Sequence, residues 1–172
     1  MFVKNGGYPR WSPDGTKIAF VRGKEIAVAS VDGANIEVVA TADNPRAVAY
    51  HPKGGVLFFT DGSTVKSVDL NSKSISTRLS GAKLRELDIS SDGRFLAGTE
   101  KGWPGMGFTA KVYELESGRA VFEEHGCGPS FSPDDTLLTV LAGGHTSINL
   151  FDWRNGKKRG AVPAPKGEKF DN

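Results

Sequence analysis

Two of the three histidines and the single cysteine of this 172-residue chain lie in short glycine-rich segments. His125 and Cys127 belong to "EEHGCGPS", with Glu123 and Glu124 beside them, and His145 belongs to "AGGHTS". Imidazole nitrogens and a thiolate are ligands that Zn²⁺ prefers, and a carboxylate oxygen can complete such a set. The chemistry open to these residue types is therefore metal binding and, through a metal, lyase or hydrolase activity.

The spacing of these residues does not repeat a compact zinc-binding motif. We therefore predict no metal site and no cofactor, and His125, Cys127 and His145 are the candidates for holding a metal if one binds. In the alternative interpretation, Cys127 is a small buried residue at the start of a strand and both histidines are solvated. The sequence contains no G-x-S-x-G nucleophile elbow and no phosphate-binding loop, so we assign no catalytic residues.

A second candidate for function is the segment "KGWPGMGF" at residues 101–108. Its apolar side chains are Trp103, Met106 and Phe108, and its glycines make it adaptable. Because tryptophan offers a large contact area, such a segment is a natural anchor for a partner. We predict these three residues, together with His125 and His145, as binding residues. The alternative is that Trp103 folds back over the rim of the core.

Four near-copies of one turn organise the rest of the chain. They are "WSPDG" at 11–15, "YHPKG" at 50–54, "ISSDG" at 89–93 and "FSPDD" at 131–135, and their second residues are 39, 39 and 42 positions apart. Each turn is followed by an apolar run, an alternating run and a more polar run, all rich in β-branched and aromatic residues. Each repeat therefore predicts four antiparallel strands, a to d.

A strand-rich repeat of about 40 residues is typical of β-propeller blades. We predict an all-β fold with four blades, each a four-stranded antiparallel sheet, in a single domain over 1–172. The blades span about 8–44, 45–83, 84–126 and 127–165. The b–c and d–a connections of a blade emerge at the same end of its strands. His125, Cys127 and His145 are therefore expected on one face.

The segment "YPRWSPDGTKIAFVRGKEIAVASVDG" resembles the repeat of TolB-like β-propellers, in which a W-S-P-D-G turn precedes I-A-F. "FSPDDTLLTVLAGGHTSINLFDWRNGK" is also similar to a WD repeat. It offers Thr139 and Phe151 at two positions of that family's buried network but no matching aspartate, which favours the TolB-like family. The resemblance implies a scaffold, a binding partner or a domain appended to an enzyme.

Propellers of this type commonly close with six to eight blades, so the sequence leaves three arrangements open. The chain is part of a longer protein that supplies the remaining blades, or half of an eight-bladed ring formed by a homodimer, or a closed four-bladed ring. The last arrangement is the most crowded at its axis.

Charge and hydropathy restrict the partners and the compartment. The net charge of +2 gives no reason to expect nucleic acid or an anionic membrane, and no apolar run is long enough to span a bilayer. The N-terminus lacks a signal peptide, which predicts a soluble cytoplasmic protein, or a periplasmic one if a leader was removed.

Together these patterns predict a non-catalytic module that binds a protein or peptide through a loop-rich face. The alternative function is an enzyme or enzyme domain using the face of His125, Cys127 and His145. It would be a metal-dependent propeller lyase or hydrolase, or a peptidase-associated propeller.

Overall fold

A computed structural model describes residues 6–102 and 107–170. The regular structure of these residues is entirely β, in four separate antiparallel sheets of four strands each. Within each sheet the strands follow chain order, so that hairpins join consecutive strands. This is the a–b–c–d architecture of β-propeller blades, and the predicted fold class is confirmed. In the same residues, no helix has the length and apolar character needed to cross a membrane.

The chain divides into two compact units, Met1–Leu87 and Asp88–Asn172, and each contains two sheets. The first sheet consists of β1 (Gly6–Trp11), β2 (Lys17–Arg22), β3 (Glu25–Ser30) and β4 (Ile36–Thr41). The second consists of β5 (Val48–Tyr50), β6 (Val56–Asp61), β7 (Thr64–Asp69) and β8 (Ile75–Ser80).

The second unit has the same strand order. Its first sheet, the third of the chain, consists of β9 (Asp88–Ile89), β10 (Phe95–Lys101), β11 (Phe108–Glu114) and β12 (Ala120–His125). The fourth sheet consists of β13 (Cys127–Phe131), β14 (Leu138–Leu141), β15 (Ser147–Asp152) and β16 (Lys157–Pro163).

The core of the first unit lies between its two sheets. Ile26 and Val28 of β3 pack with Val48 of β5 and with Leu57 and Phe59 of β6, and all five side chains are buried. The outermost strands, β4 and β8, are mostly exposed. Burial therefore falls from the b and c strands to the d strand, as the polar character of the fourth run in each repeat predicts.

Trp153 lies in the core of the second unit. Its indole is 2% exposed and contacts the rings of Phe95 and Phe131 edge-on, with centroid distances of 4.8 Å and 5.4 Å. The Arg154 guanidinium covers the indole at 4.2 Å from its centroid. Aromatic pairs of this geometry add to the stabilisation from burial. Trp153 therefore joins the third and fourth sheets.

The repeated turn is a hydrogen-bonded device for starting a hairpin. In the first copy, Ser12 Oγ donates to Asp14 Oδ1 at 2.6 Å and accepts the Lys17 N–H at 2.9 Å. Asp14 Oδ1 also accepts the Thr16 N–H at 3.0 Å. The bonds that Asp14 accepts, above all the one from Ser12 and then those from Thr16, lower its pKa to about 2. Gly15 completes the turn at a φ of +70°, in the left-handed region that glycine adopts without strain.

The other copies keep most of these bonds. Ser90 donates to Asp92 at 2.7 Å, and Ser132 donates to Asp134 at 2.6 Å. His51 replaces the serine in the second turn, and its Nδ1 accepts the N–H two residues later at 3.2 Å. Local turn structure therefore accounts for these aspartates, as the sequence predicts.

Tyr50 carries a buried hydroxyl that has no hydrogen-bond partner among the described residues. Burial, with a contribution from the Asp14 charge, raises its pKa to about 12. A buried hydroxyl without a partner loses its hydration and gains nothing in return. We expect Tyr50→Phe to raise the free energy of unfolding by about 1 kcal/mol, measured by urea denaturation.

Tyr113→Phe is the matched control, because the Tyr113 hydroxyl donates to Glu100 Oε1 at 3.2 Å. Removing a bonded hydroxyl is expected to lower the free energy of unfolding by about 1 kcal/mol. If Tyr50→Phe and Tyr113→Phe lowered the free energy of unfolding equally, this account of the Tyr50 hydroxyl would be contradicted.

Candidate functional site

A cavity of about 360 Å³ lies at one end of the strands of the second unit. We call it the histidine cavity, since His125 and His145 both line it. Cys127 and Phe108 line it as well, and the remaining lining residues are Gly107, Gly126, Ala142, Gly143, Gly144 and Lys169. The structure thus brings together three of the five predicted binding residues and all three candidate metal ligands.

Strand ends place these side chains. His125 is the last residue of β12 and Cys127 is the first residue of β13, so that Gly126 alone connects the two strands. His145 belongs to the hairpin between β14 and β15, and Phe108 begins β11. The expectation that these b–c and d–a connections share an end of the second unit is correct.

Cys127 and His145 are in direct contact. The Cys127 Sγ lies 3.6 Å from the His145 Nε2, within the distance of a sulfur hydrogen bond. The thiol is 3% exposed and the imidazole is half-buried. The pair therefore combines a nucleophilic sulfur with a titratable base at the wall of a cavity.

The backbone of His145 has an unusual conformation, and hydrogen bonds to both its N–H and its carbonyl hold it. Its φ is +60°, in the left-handed region that costs most residues other than glycine about 1 kcal/mol. Its N–H donates to the Ala142 carbonyl at 2.9 Å, and its own carbonyl accepts the Phe170 N–H at 2.8 Å. The hairpins that follow β2 and β6 have Gly23 and Gly62 in the left-handed region.

The imidazole of His125 lies against two glycines. A Cβ at Gly143 would lie 2.6 Å from the His125 Cε1, and a Cβ at Gly107 would lie 3.2 Å from its Nε2. Neither position leaves unstrained room for a side chain while this ring stays in place. The glycines therefore provide the space that His125 occupies at the edge of the cavity.

Within residues 6–102 and 107–170, no group of three or more His, Cys, Asp and Glu side chains is placed to hold a metal ion. Glu123 and Glu124, the acidic neighbours of the cluster, have other partners. Glu123 lies 3.5 Å from the Lys111 ammonium, and Glu124 accepts the His125 N–H at 3.1 Å. Among the described residues, the Cys127 thiol contacts the His145 imidazole.

The base of the predicted binding loop closes beside the cavity. The Gly102 N–H donates to the Gly107 carbonyl at 2.9 Å, and Phe108 pairs with Lys101 across the hairpin. Trp103 and Met106 lie outside the described residues. The connection between β10 and β11 therefore rejoins the second unit at Gly107 and Phe108, which line the histidine cavity.

Sequence reasoning missed the glycines that shape the cavity and Lys169. The signals were present in "HGCG" and "AGGH", where glycines flank each candidate side chain. Gly126 has a φ of +144°, and a Cβ there would lie 2.4 Å from the Leu141 carbonyl oxygen. Close backbone approach therefore requires glycine at this position.

A second cavity, of about 350 Å³, lies on the second sheet of the first unit. Three basic side chains, His51, Lys53 and Arg78, line it together with Asp69. Burial and the positive charges of Lys53 and Arg78 lower the pKa of His51. This cavity contains the remaining histidine of the chain and provides a control for experiments on the first cavity.

No family model matches the chain, and no curated protein matches its sequence. Solved structures do resemble it. The hydrazine synthase of Kuenenia stuttgartiensis has a TM-score of 0.70 at 14% identity, over 92% of this chain and 54% of that one. A chain of a nidogen/laminin complex has a TM-score of 0.74 at 17% identity, over 98% and 68%. A chain of a mitotic checkpoint complex has a TM-score of 0.70 at 16% identity, over 94% and 52%.

At these identities the likeness concerns the fold alone. It supports the β-propeller fold and does not distinguish TolB-like repeats from WD repeats. The chain spans about half the length of the hydrazine synthase and mitotic checkpoint chains that it matches.

Proposed function

We propose that this chain is a non-catalytic module that binds a protein or peptide at the histidine cavity and the adjoining 101–108 segment. The observation that carries the proposal is the cavity itself. Its volume of about 360 Å³ is at the lower end of the range for ligand pockets and suits one or two side chains of a partner. Phe108 offers an aromatic wall, and His125 and His145 offer polar groups at the rim.

The surroundings of the cavity favour recognition over catalysis. Glu123 pairs with the Lys111 ammonium, and Glu124 accepts the His125 backbone N–H. The aspartates of the repeated turns bond within those turns. A catalytic triad needs a third group that orients the base, and these carboxylates are held by the partners just named.

Two of the structural neighbours belong to complexes, one of nidogen with laminin and one of the mitotic checkpoint. This supports a protein as the partner class. We also propose that the repeats are TolB-like and that further blades are supplied by a longer chain or by a second copy. The chain's coverage of about half of two neighbours supports the need for further blades.

One observation favours the alternative function, an enzyme or enzyme domain acting at the same face. The contact of Cys127 with His145 at 3.6 Å pairs a nucleophile with a base. Turnover by the wild type that is lost in a Cys127→Ala variant would favour this alternative over a binding module.

A displayed peptide library selected on the immobilised chain tests the proposal. Enriched peptides are synthesised, and their dissociation constants are measured by fluorescence anisotropy for wild type and variants. We expect Phe108→Ala and Trp103→Ala each to weaken binding by about tenfold or more, because aromatic anchors dominate such interfaces.

Lys53→Ala is the matched control, since Lys53 is exposed at the second cavity in the other unit. The dissociation constant of Lys53→Ala is expected to equal that of the wild type. Selection without enrichment, or peptides that bind the Phe108 and Trp103 variants as well as the wild type, would refute the proposed site.

A further inference from the structure

The second of the four repeated turns replaces both polar residues that build the first. His51 and Lys53 stand where the first turn has Ser12 and Asp14, so a basic side chain takes the place of an acidic one. Asp14 accepts bonds from Ser12 and from the Thr16 N–H, whereas the bond of the second turn runs from the Lys53 N–H to His51 Nδ1. Local turn structure therefore accounts for the aspartate but not for the Lys53 side chain.

Both of these basic side chains line the second cavity, together with Arg78 of β8. Among the described residues, the ion pairs of lysine and arginine side chains include neither Lys53 nor Arg78. Asp69 also lines the cavity, and its carboxylate accepts the N–H groups of Asn71 and Ser72 at 3.0 Å and 2.8 Å. The cavity wall therefore carries more positive than negative charge.

A buried aromatic ring lies beneath these donors. Phe58 is 1% exposed, the His51 imidazole stacks on it with a centroid distance of 6.4 Å, and the Arg78 Cζ lies 6.0 Å from its centroid. Phe58 pairs with Ser67 of β7, and Ser67 pairs with Ser76 of β8, so these three side chains share one face of the sheet. Both serines line the cavity. Cationic and hydroxyl donors therefore surround one apolar surface.

The turn also determines which nitrogen of His51 can bind a ligand. Its Nδ1 accepts the Lys53 N–H at 3.2 Å, so the neutral ring carries its proton on Nε2. Nε2–H is thus a donor whether the ring is neutral or charged. Guanidinium, ammonium and imidazole N–H groups donate without accepting, and such groups are suited to the oxygens of a phosphate.

We propose that His51, Lys53 and Arg78 bind the phosphoryl group of free phosphate or of a phosphate ester, with the Ser67 and Ser76 hydroxyls as further donors. At about 350 Å³, the cavity is within the range of small-molecule pockets, so it has room for the group to which the phosphate is attached. The proposal is separate from peptide recognition at the histidine cavity. Displayed peptides carry no phosphoryl group, so Lys53→Ala remains the control in that experiment.

Inorganic phosphate and O-phosphoserine are the probes, and serine is the control that lacks the phosphoryl group. Each is titrated into the ¹⁵N-labelled chain at constant ionic strength, and the amide chemical shifts are followed by NMR. We expect saturable changes in segments 51–54 and 76–78 with both probes and none with serine. Tighter binding of O-phosphoserine would support a phosphate ester as the ligand, and tighter binding of inorganic phosphate would support the free ion. Absence of saturable changes with either probe would overturn the proposal.

Variants separate a specific site from general attraction by a positive surface. Arg78→Gln and His51→Gln are each expected to weaken binding by about tenfold, because each loses a charge-assisted hydrogen bond. Lys17→Gln is the matched control, since Lys17 is an exposed cation of the first sheet and does not line the cavity. Its dissociation constant is expected to equal that of the wild type. Equal weakening in Arg78→Gln and Lys17→Gln would contradict the site.

Asp69→Asn is expected to act in the opposite direction and to tighten binding by about threefold, because it removes a negative charge from the cavity wall. Asparagine keeps an oxygen that can accept the N–H bonds of the turn. Weaker binding in this variant, with an amide spectrum that otherwise matches the wild type, would contradict the charge argument.

The titration of His51 is a readout that a merely structural role would not change. Burial and the positive charges of Lys53 and Arg78 lower its pKa, and Asp69 is the acidic group on the same cavity wall. A bound anion offsets the two positive charges, so saturating sulfate is expected to raise the pKa of His51 above its value in chloride at equal ionic strength. The imidazole Cε1–H shift, followed against pH by NMR, measures it. An equal pKa in the two salts would overturn the placement of His51 in the site.

Discussion

Gly126→Ala is expected to lower the free energy of unfolding by about 3 kcal/mol, the cost of a steric clash added to backbone strain. A Cβ at this position would lie 2.4 Å from the Leu141 carbonyl oxygen and 2.7 Å from the Val140 Cγ1. Both neighbours belong to β14, which is paired on both sides and cannot withdraw easily. The φ of +144° adds strain for any residue with a Cβ.

Gly15→Ala is the control that separates strain from clash. Gly15 has a φ of +70°, but a Cβ there would meet no atom within 4 Å. Backbone strain alone is expected to cost about 1 kcal/mol. Urea denaturation followed by tryptophan fluorescence measures both variants. If Gly126→Ala and Gly15→Ala lowered the free energy of unfolding equally, the connection between β12 and β13 would not require close backbone approach.

Asp135→Ala is expected to lower the free energy of unfolding by about 3 kcal/mol, because charge-assisted hydrogen bonds are lost inside the fold. The Asp135 side chain is buried and accepts the Ser91 N–H at 3.0 Å and 2.8 Å and the Ser91 hydroxyl at 2.5 Å. Its carbonyl accepts the Trp153 Nε1–H at 3.0 Å and a bond from Arg154. Asp135 thereby connects the third sheet to the fourth.

Two further variants test the cause. Asp135→Gly also removes the carboxylate, but glycine suits the φ of +56°. We therefore expect it to lower the free energy of unfolding by about 1 kcal/mol less than Asp135→Ala does. Asp134→Ala, in the same turn but exposed, is expected to cost less than either. A loss in Asp135→Ala no larger than in Asp134→Ala would contradict the role given to this carboxylate.

The strands and turns could be predicted because their chemistry is local. The bonds among Ser12, Asp14 and Lys17 lie within six consecutive residues, so the same residue types form the same turn in other repeats. Asp135 occupies the position of the motif's glycine in the fourth turn, and comparing the turns therefore predicts its positive φ.

Contacts between sheets could not be predicted in this way. Asp135 bonds to Ser91 across 44 positions, and Trp153 packs on rings from two other segments. Such pairs depend on how two blades stack within one unit, and the repeat pattern does not specify which side chains meet.

The common placement of three candidate residues could be predicted from the sequence, but their contacts could not. The order of strands a to d places His125, Cys127 and His145 at one end of the second unit, and the structure confirms that placement. The contact of Cys127 with His145 depends on the left-handed backbone of His145. The position of the His125 ring depends on the missing side chain of Gly143.

Hydrogen–deuterium exchange of the chain with a selected peptide tests the proposed binding surface most directly. We predict slower exchange on binding in segments 107–108, 125–127 and 142–145, which form the histidine cavity. Segments 12–16 and 51–54, two of the repeated turns of the first unit, should show unchanged exchange. Protection of those turns without protection of the cavity segments would contradict the proposed function.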